Sequence, residues 1–173
     1  MRVLGVDAGM TTGLCIIEMD GPESWRCTRR WQIEKDEDRG HALGILYAEL
    51  SDLFWDTVFD AVVMEYYQAY GQNTAEEKIE AQAIVRLSCY QHGLKLYTYP
   101  PVTIRSMTVG NSRAKEAQIK AQVKYYLGME GRAAPGEALS NHQADAILAA
   151  LCHLAHRERL ILAPSLTLTG KVS

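Results

Sequence analysis

Apolar residues recur along this chain in two rhythms. Residues 2–7 (RVLGVD) and 13–19 (GLCIIEM) are nearly continuous apolar runs of strand length, joined by the loop GMTT. Runs of that kind predict short strands buried on both faces. A third strand is predicted at 25–33, where WRCTRRWQI alternates roughly and carries two tryptophans. The rhythm then turns helical: Leu43, Leu46, Leu50 and Leu53 recur at helix spacing within 38–55. Val62, Val63 and Met64 form a fourth strand that runs into Glu65. Thr74 and Glu77 make a capping box opening a helix that continues to about Gln91, with Gly93 as its natural stop. KLYTY (95–99) is a fifth strand, ended by Pro100 and Pro101, and helices are predicted at 113–127 and 140–157. Strands alternating with helices imply an α/β fold whose sheet is covered on both faces. The first three strands lie close enough in sequence for an antiparallel meander, so the expected sheet is five-stranded and mixed. One domain over 1–157 and a C-terminal tail, 158–173, are expected.

Composition narrows the class. A length of 173 residues suits one domain, and 47% apolar with 23% charged residues is ordinary for a globular protein. The four cysteines include no C-x-x-C pair, which implies reduced thiols in a cytoplasmic setting and argues against a cysteine zinc site. No leader-like start and no apolar run near the roughly 18 residues of a membrane span are visible, so no membrane partner is expected. The net charge of −3 speaks against a nucleic-acid partner only until its distribution is seen. Residues 100–132 carry six basic side chains and two acidic ones, a local excess of +4. Such sorting is a sign of a surface that faces a polyanion.

Three carboxylates sit where apolar elements would rather have none. Asp7 follows VLGV, Glu65 follows AVVM, and Asp145 lies among alanines in HQADAILAALCHL. Asp7 also opens D-A-G-M-T, a loop that suits either a phosphate cradled by backbone or a metal ion held by the carboxylate. The first and fourth strands are the natural central pair, so their ends bring Asp7 and Glu65 together. His142 precedes Asp145 by three residues and leaves the same face of its helix. Like charges converging this way need something positive between them, and divalent cations are the economical answer. Two such ions about 3.5–4 Å apart can clamp a phosphodiester, generate the nucleophile and stabilise the leaving oxygen.

Four stretches, "VLGVDAGMTTG", "AVVMEYY", "TIRSMTVGNSRAKEAQIK" and "NHQADAILAALCHL", follow one another in a familiar order over residues 3 to about 154. With them the chain resembles the RuvC family of Holliday-junction resolvases, in the bacterial and phage branch of the ribonuclease-H-like superfamily. The resemblance implies a ribonuclease-H-like fold and metal ligands, which are also the catalytic residues, at Asp7, Glu65, His142 and Asp145. It implies two Mg²⁺ (or Mn²⁺), in-line attack by an activated water, and 5′-phosphate and 3′-hydroxyl products. Branched DNA is the implied partner, and the implied assembly is a homodimer paired through the helix at 75–92. Ile79, Ala83 and Leu87 form a small, apolar side of that helix.

Nucleic-acid contacts are expected from Arg105, Arg113, Lys115, Lys120 and Lys124, the last four assigned to the helix at 113–127 and its cationic flank. The family usually has a lysine six residues after the equivalent of Gly110, whereas this chain has Glu116 there and Lys115 beside it. It also places an aromatic three residues after the metal-binding glutamate; here that position is Gln68, with Tyr66, Tyr67 and Tyr70 around it as candidate stacking residues. Two other functions fit parts of the pattern. A nuclease of the same fold acting on RNA or flaps is one. The other is an actin-like phosphate-loop ATPase, which needs a second similar loop and about twice this length. No nucleotide cofactor is expected.

Overall fold

The computed structural model describes residues 1–66, 75–129 and 138–162. In chain order the elements are β1 (Arg2–Asp7), β2 (Thr12–Gly21), β3 (Ser24–Ile33), α1 (Arg39–Asp56), β4 (Ala61–Glu65), α2 (Ala75–Gln91), β5 (Leu96–Tyr99), α3 (Pro101–Val109), α4 (Glu116–Met129) and α5 (Asn141–Arg157). The strands form one sheet in the order β3-β2-β1-β4-β5. Its first three strands are an antiparallel meander, and β4 and β5 are added in parallel. The mixed sheet and the central β1–β4 pair match the expectation from sequence.

Alternation along β1 divides the core. Leu4 and Val6 face α1 and α2, where they pack with Leu46, Leu50, Leu53, Val62, Met64 and Val85. Val3 belongs to the opposite layer, with Ile17, Val63, Ile104, Ile119, Val123 and, from α5, Ala144 and the buried run from Ala146 to Cys152. Both faces of the sheet are covered by mostly apolar side chains, which is why these strands lack the polar alternation of a one-sided sheet. Leu160 is buried in the α3–α5 layer and Ile161 N donates to Pro22 O, so the chain just after α5 runs back over the β2–β3 turn.

Local signals explain most boundaries. Asp38 caps α1 by accepting from His41 N, and Gly93, at φ +65°, takes the left-handed conformation that ends the α2 turn. The sequence pattern missed α3. Pro100 and Pro101 read as a strand stop, but proline also suits the first helical turn, where its missing N–H costs nothing. Helix α4 begins at Glu116, three residues later than the pattern predicts. Asn111 Oδ1 accepts from Arg113 N and holds that segment in a turn, so Arg113 is not part of the helical stripe that contains Lys120 and Lys124. Thr74 lies outside the described residues. Among those described, no helix is long and apolar enough to cross a membrane, and all four cysteines are free.

One buried group links the fold to pH. His153, 1% exposed, lies beneath β5, its ring 4.4 Å from that of Tyr97 and its Nδ1 3.0 Å from the Tyr99 hydroxyl. Burial, with Arg157 and His156 close by, pushes its pKa down to about 4. The folded ring is therefore neutral where the unfolded one, titrating near 6.5, becomes charged. Its contribution is complete above pH 6.5 and is lost as pH falls towards 4. Urea unfolding of wild type and His153→Gln across pH 4–7 is expected to differ in slope by up to about 1.4 kcal/mol per pH unit. Parallel profiles would show that His153 does not titrate as described.

Candidate active site

The site is built at the carboxyl ends of two parallel strands. Val6 pairs with Met64, so Asp7 and Glu65 occupy the next positions of β1 and β4. By alternation both follow Val3 and Val63 onto the α5 side of the sheet. Asp7 is 9% exposed. Gln82 of α2 donates through Nε2 to Glu65 O at 3.2 Å, and Tyr66 N donates to Tyr99 O at 2.8 Å, which fixes the exit of β4. The loop after Asp7 is closed by Thr12, whose hydroxyl donates to Gly9 O at 2.6 Å and delivers the chain into β2.

Helix α5 reaches Asp7 because two glycines let it lie directly on the sheet. A Cβ on Gly5 would run into Ala146 O and lie 2.8 Å from Cys15 Sγ. One on Gly13 would overlap the carbonyl of His142 and come within 2.8 Å of Gln143 N. Ser140 caps the helix in a reciprocal capping box with Gln143. The first turn, so held, brings His142 Nδ1 to 2.8 Å from Asp7 Oδ2.

These groups act on one another electrostatically. Burial first, then repulsion from Asp7 and Asp145, pushes the Glu65 carboxyl up to about 7. Burial and then Asp7 push Asp145 up to about 6. The hydrogen bond to Asp7 is the chief reason that the His142 pKa is raised. Arg105 and Lys78 offset part of the load on both Glu65 and Asp145. Among the described residues, no group of three or more His, Cys, Asp or Glu side chains is drawn to metal-binding spacing. Three carboxylates and an imidazole are nevertheless the donor set of a hard divalent cation, and such a cation would reverse the upward shifts of Glu65 and Asp145.

The remaining candidates fall into three groups. Arg105, on α3, is close enough to lower the pKa of Glu65 and Asp145, and its Nε is enclosed with no hydrogen-bond partner among the described residues. Arg113, Lys115 and Lys124 are exposed and Lys120 is half-buried, all on or just before α4. Tyr66 is 37% exposed beside Glu65. Tyr67, Gln68 and Tyr70 lie outside the described residues. Sequence reasoning passed over Gly5, Gly13, Gln82 and Lys78. Only the glycines left a trace, as residues without side chains inside strands that otherwise favour large ones.

Comparison with known proteins adds the family context. A family model described as "Crossover junction endodeoxyribonuclease RuvC" matches residues 3–153. A protein of that description from Caldicellulosiruptor saccharolyticus is 30% identical over 158 residues, covering 89% of this chain and 92% of its own. One from Finegoldia magna is 29% identical over 160 residues, covering 89% and 93%. Among solved structures, T. thermophilus RuvC in complex with a Holliday junction substrate superposes with a TM-score of 0.77 at 24% identity, covering 90% of this chain and 94% of that one. At that identity the likeness speaks for the fold, which is the ribonuclease-H-like one expected from sequence.

Proposed function

The chain belongs to the RuvC family of crossover junction endodeoxyribonucleases, and on that premise we propose that it resolves four-way DNA junctions by hydrolysing phosphodiesters to 5′-phosphate and 3′-hydroxyl ends. The observation that carries the reading is the convergence of Asp7, Glu65, His142 and Asp145 at the ends of β1 and β4, with Arg105 of α3 and Lys78 of α2 close enough to offset their charge.

The family is metal-dependent, and the donor set suits two Mg²⁺, with Mn²⁺ as substitute, held by Asp7, Glu65, His142 and Asp145. When bound, the ions neutralise charge at the phosphate and make water a stronger nucleophile. The protein does the rest. Asp7 hydrogen-bonds His142 and is close enough to raise the pKa of both Glu65 and Asp145, so it would be the carboxylate best placed to serve both ions. His142 orients it through the Nδ1 contact. Arg105 offsets the local negative charge and contacts a phosphate beside the one cut. Arg113, Lys115, Lys120 and Lys124 hold the flanking backbone without reading sequence. Tyr66, with Tyr67, Gln68 and Tyr70 as further candidates, offers stacking surface for a splayed base.

Labelled four-way junctions, flaps, linear duplexes and structured RNA, offered with Mg²⁺, test the reading. Junctions are expected to be cut in strong preference. Equal cleavage of linear duplex would remove the resolvase assignment and leave a nuclease, and preferential cleavage of flaps or RNA would favour the alternative of the same fold.

Metal binding is expected to show in stability as well as in rate. Glu65 and Asp145, with raised folded pKa values, bind protons more tightly folded than unfolded. Through these groups the metal-free protein loses stability as pH rises from about 4 through 7. A cation that needs both ionised therefore raises Tm more at pH 8 than at pH 5.5. Thermal scans with and without Mg²⁺ or Mn²⁺ measure this, and an equal gain at both pH values would count against carboxylate ligation.

A second copy of the chain is expected on α2. Ala81, Val85, Ser88 and Cys89 face the interior, while Ile79 (47% exposed), Ala83 and Leu87 (46%) form a stripe towards solvent, continued by Tyr90 (85%). About half of Ile79 and Leu87 and most of Tyr90 is open to solvent, and self-pairing about a two-fold axis would cover that surface. Leu87→Arg is expected to shift sedimentation from dimer to monomer while changing monomer stability by less than about 0.5 kcal/mol. A wild type that sediments as a monomer at cleavage concentrations would overturn this.

A further inference from the structure

Glu116 is the first residue of α4, and Asn141 is the first of α5. Asn141 Nδ2 donates to Glu116 Oε2 at 2.7 Å. The other amide atom, Asn141 Oδ1, is enclosed and has no hydrogen-bond partner among the described residues. Glu116 is thus the group that orients this side chain. Its carboxylate also sits at two helix N-termini, both of which favour negative charge.

The turn it grips carries the site. His142 comes next and meets Asp7 at 2.8 Å, and Asp145 follows one turn on. Gly13 supports the same turn from the sheet, and Ser140 with Gln143 closes its cap. Of these three restraints, only the Glu116 bond comes from the helix that bears Lys120 and Lys124. Lys115 stands beside Glu116 with its side chain exposed, and its backbone N–H donates to Gln118 Oε1 as α4 begins.

We propose that Glu116 is a positioning residue that ties α4 to the first turn of α5 through Asn141, so that phosphate contacts on α4 are transmitted to the placement of His142 and Asp145. The catalytic consequence rests on the nuclease reading; the tie itself does not. The acidic residue at 116 then has a reason. The outward cation of this turn is Lys115, and position 116, itself exposed, serves a surface hydrogen bond between two helices.

The test compares wild type with Glu116→Ala, Glu116→Gln, Asn141→Ala and the double alanine variant. In metal-free protein, Glu116→Ala is expected to speed amide exchange at Ala144 and Asp145 by about five- to tenfold, the worth of one hydrogen bond. Glu116→Gln keeps an acceptor and is expected to restore wild-type exchange. The double variant should exchange no faster than either single one. With Mg²⁺, Glu116→Ala should lower kcat by a similar factor, while junction affinity without metal stays equal or tightens. Unchanged exchange in Glu116→Ala, failure of glutamine to rescue, or a kcat loss matched by lost affinity would each overturn the proposal. If wild type cuts no junction, the nuclease reading falls alone, and the exchange measurements still decide the tie.

Discussion

Asp7→Asn is expected to lower junction cleavage by about 10³-fold or more and to leave binding of the uncut junction equal or tighter. The carboxylate shares its neighbourhood with a strand-end glutamate and a helical aspartate, and it raises the pKa of both. Asparagine preserves shape and an acceptor for the His142 contact but removes the charge that a shared cation needs. The substitution also relieves repulsion in the metal-free protein, so Tm without metal should not fall, and the gain in Tm on adding Mg²⁺ should shrink. Gel assays of cleavage and of binding in metal-free buffer separate the two effects. An Asp7→Asn protein that cuts junctions at the wild-type rate would remove the metal-centred mechanism.

Gly13→Ala is expected to cost activity far more than its size suggests. The added methyl overlaps the carbonyl of His142, which is backbone and cannot swing away, so the first turn of α5 must lift from β2. Misplacing catalytic groups by about 1 Å can cost on the order of 10²-fold in rate, and overpacking costs about 1–3 kcal/mol. Gly5→Ala strikes the same helix further along, at Ala146 and Ala150, and should weigh more on stability than on kcat. Gly44→Ala provides the control. Nothing lies within 4 Å of a Cβ there, and inside α1 alanine should stabilise by about 0.5–1 kcal/mol. Urea melts beside cleavage rates read all three. A fully active Gly13→Ala protein would mean that α5 is not seated as described.

The elements that were legible in the sequence share one property: their signal is periodic and local. Val3, Gly5 and Asp7 lie on one face of β1 by alternation alone, and Leu46, Leu50 and Leu53 mark the buried side of α1 by helix spacing. The missed helix α3 fails that test, because VTIRSMTV is rich in β-branched residues and two prolines precede it. There tertiary packing of Ile104 and Thr108 against the α5 layer outweighs propensity. Arg113 was misassigned to α4 for a similar reason. Its charge spacing fits a helix, but the Asn111 turn claims its backbone.

By itself the sequence determined which carboxylates stand inside apolar runs and which strands are neighbours, because a carboxylate inside such a run is costly wherever the run goes. It could not determine how closely α5 lies on the sheet, since that depends on two missing Cβ atoms opposite a helix more than 120 residues away. Nor could it separate the two faces of α2, where small and apolar residues occur on both the buried and the solvent side. The partner of Glu116, 25 residues distant, was equally invisible. Only the tertiary structure decided these points, because each is a contact between segments whose relative placement no local period encodes.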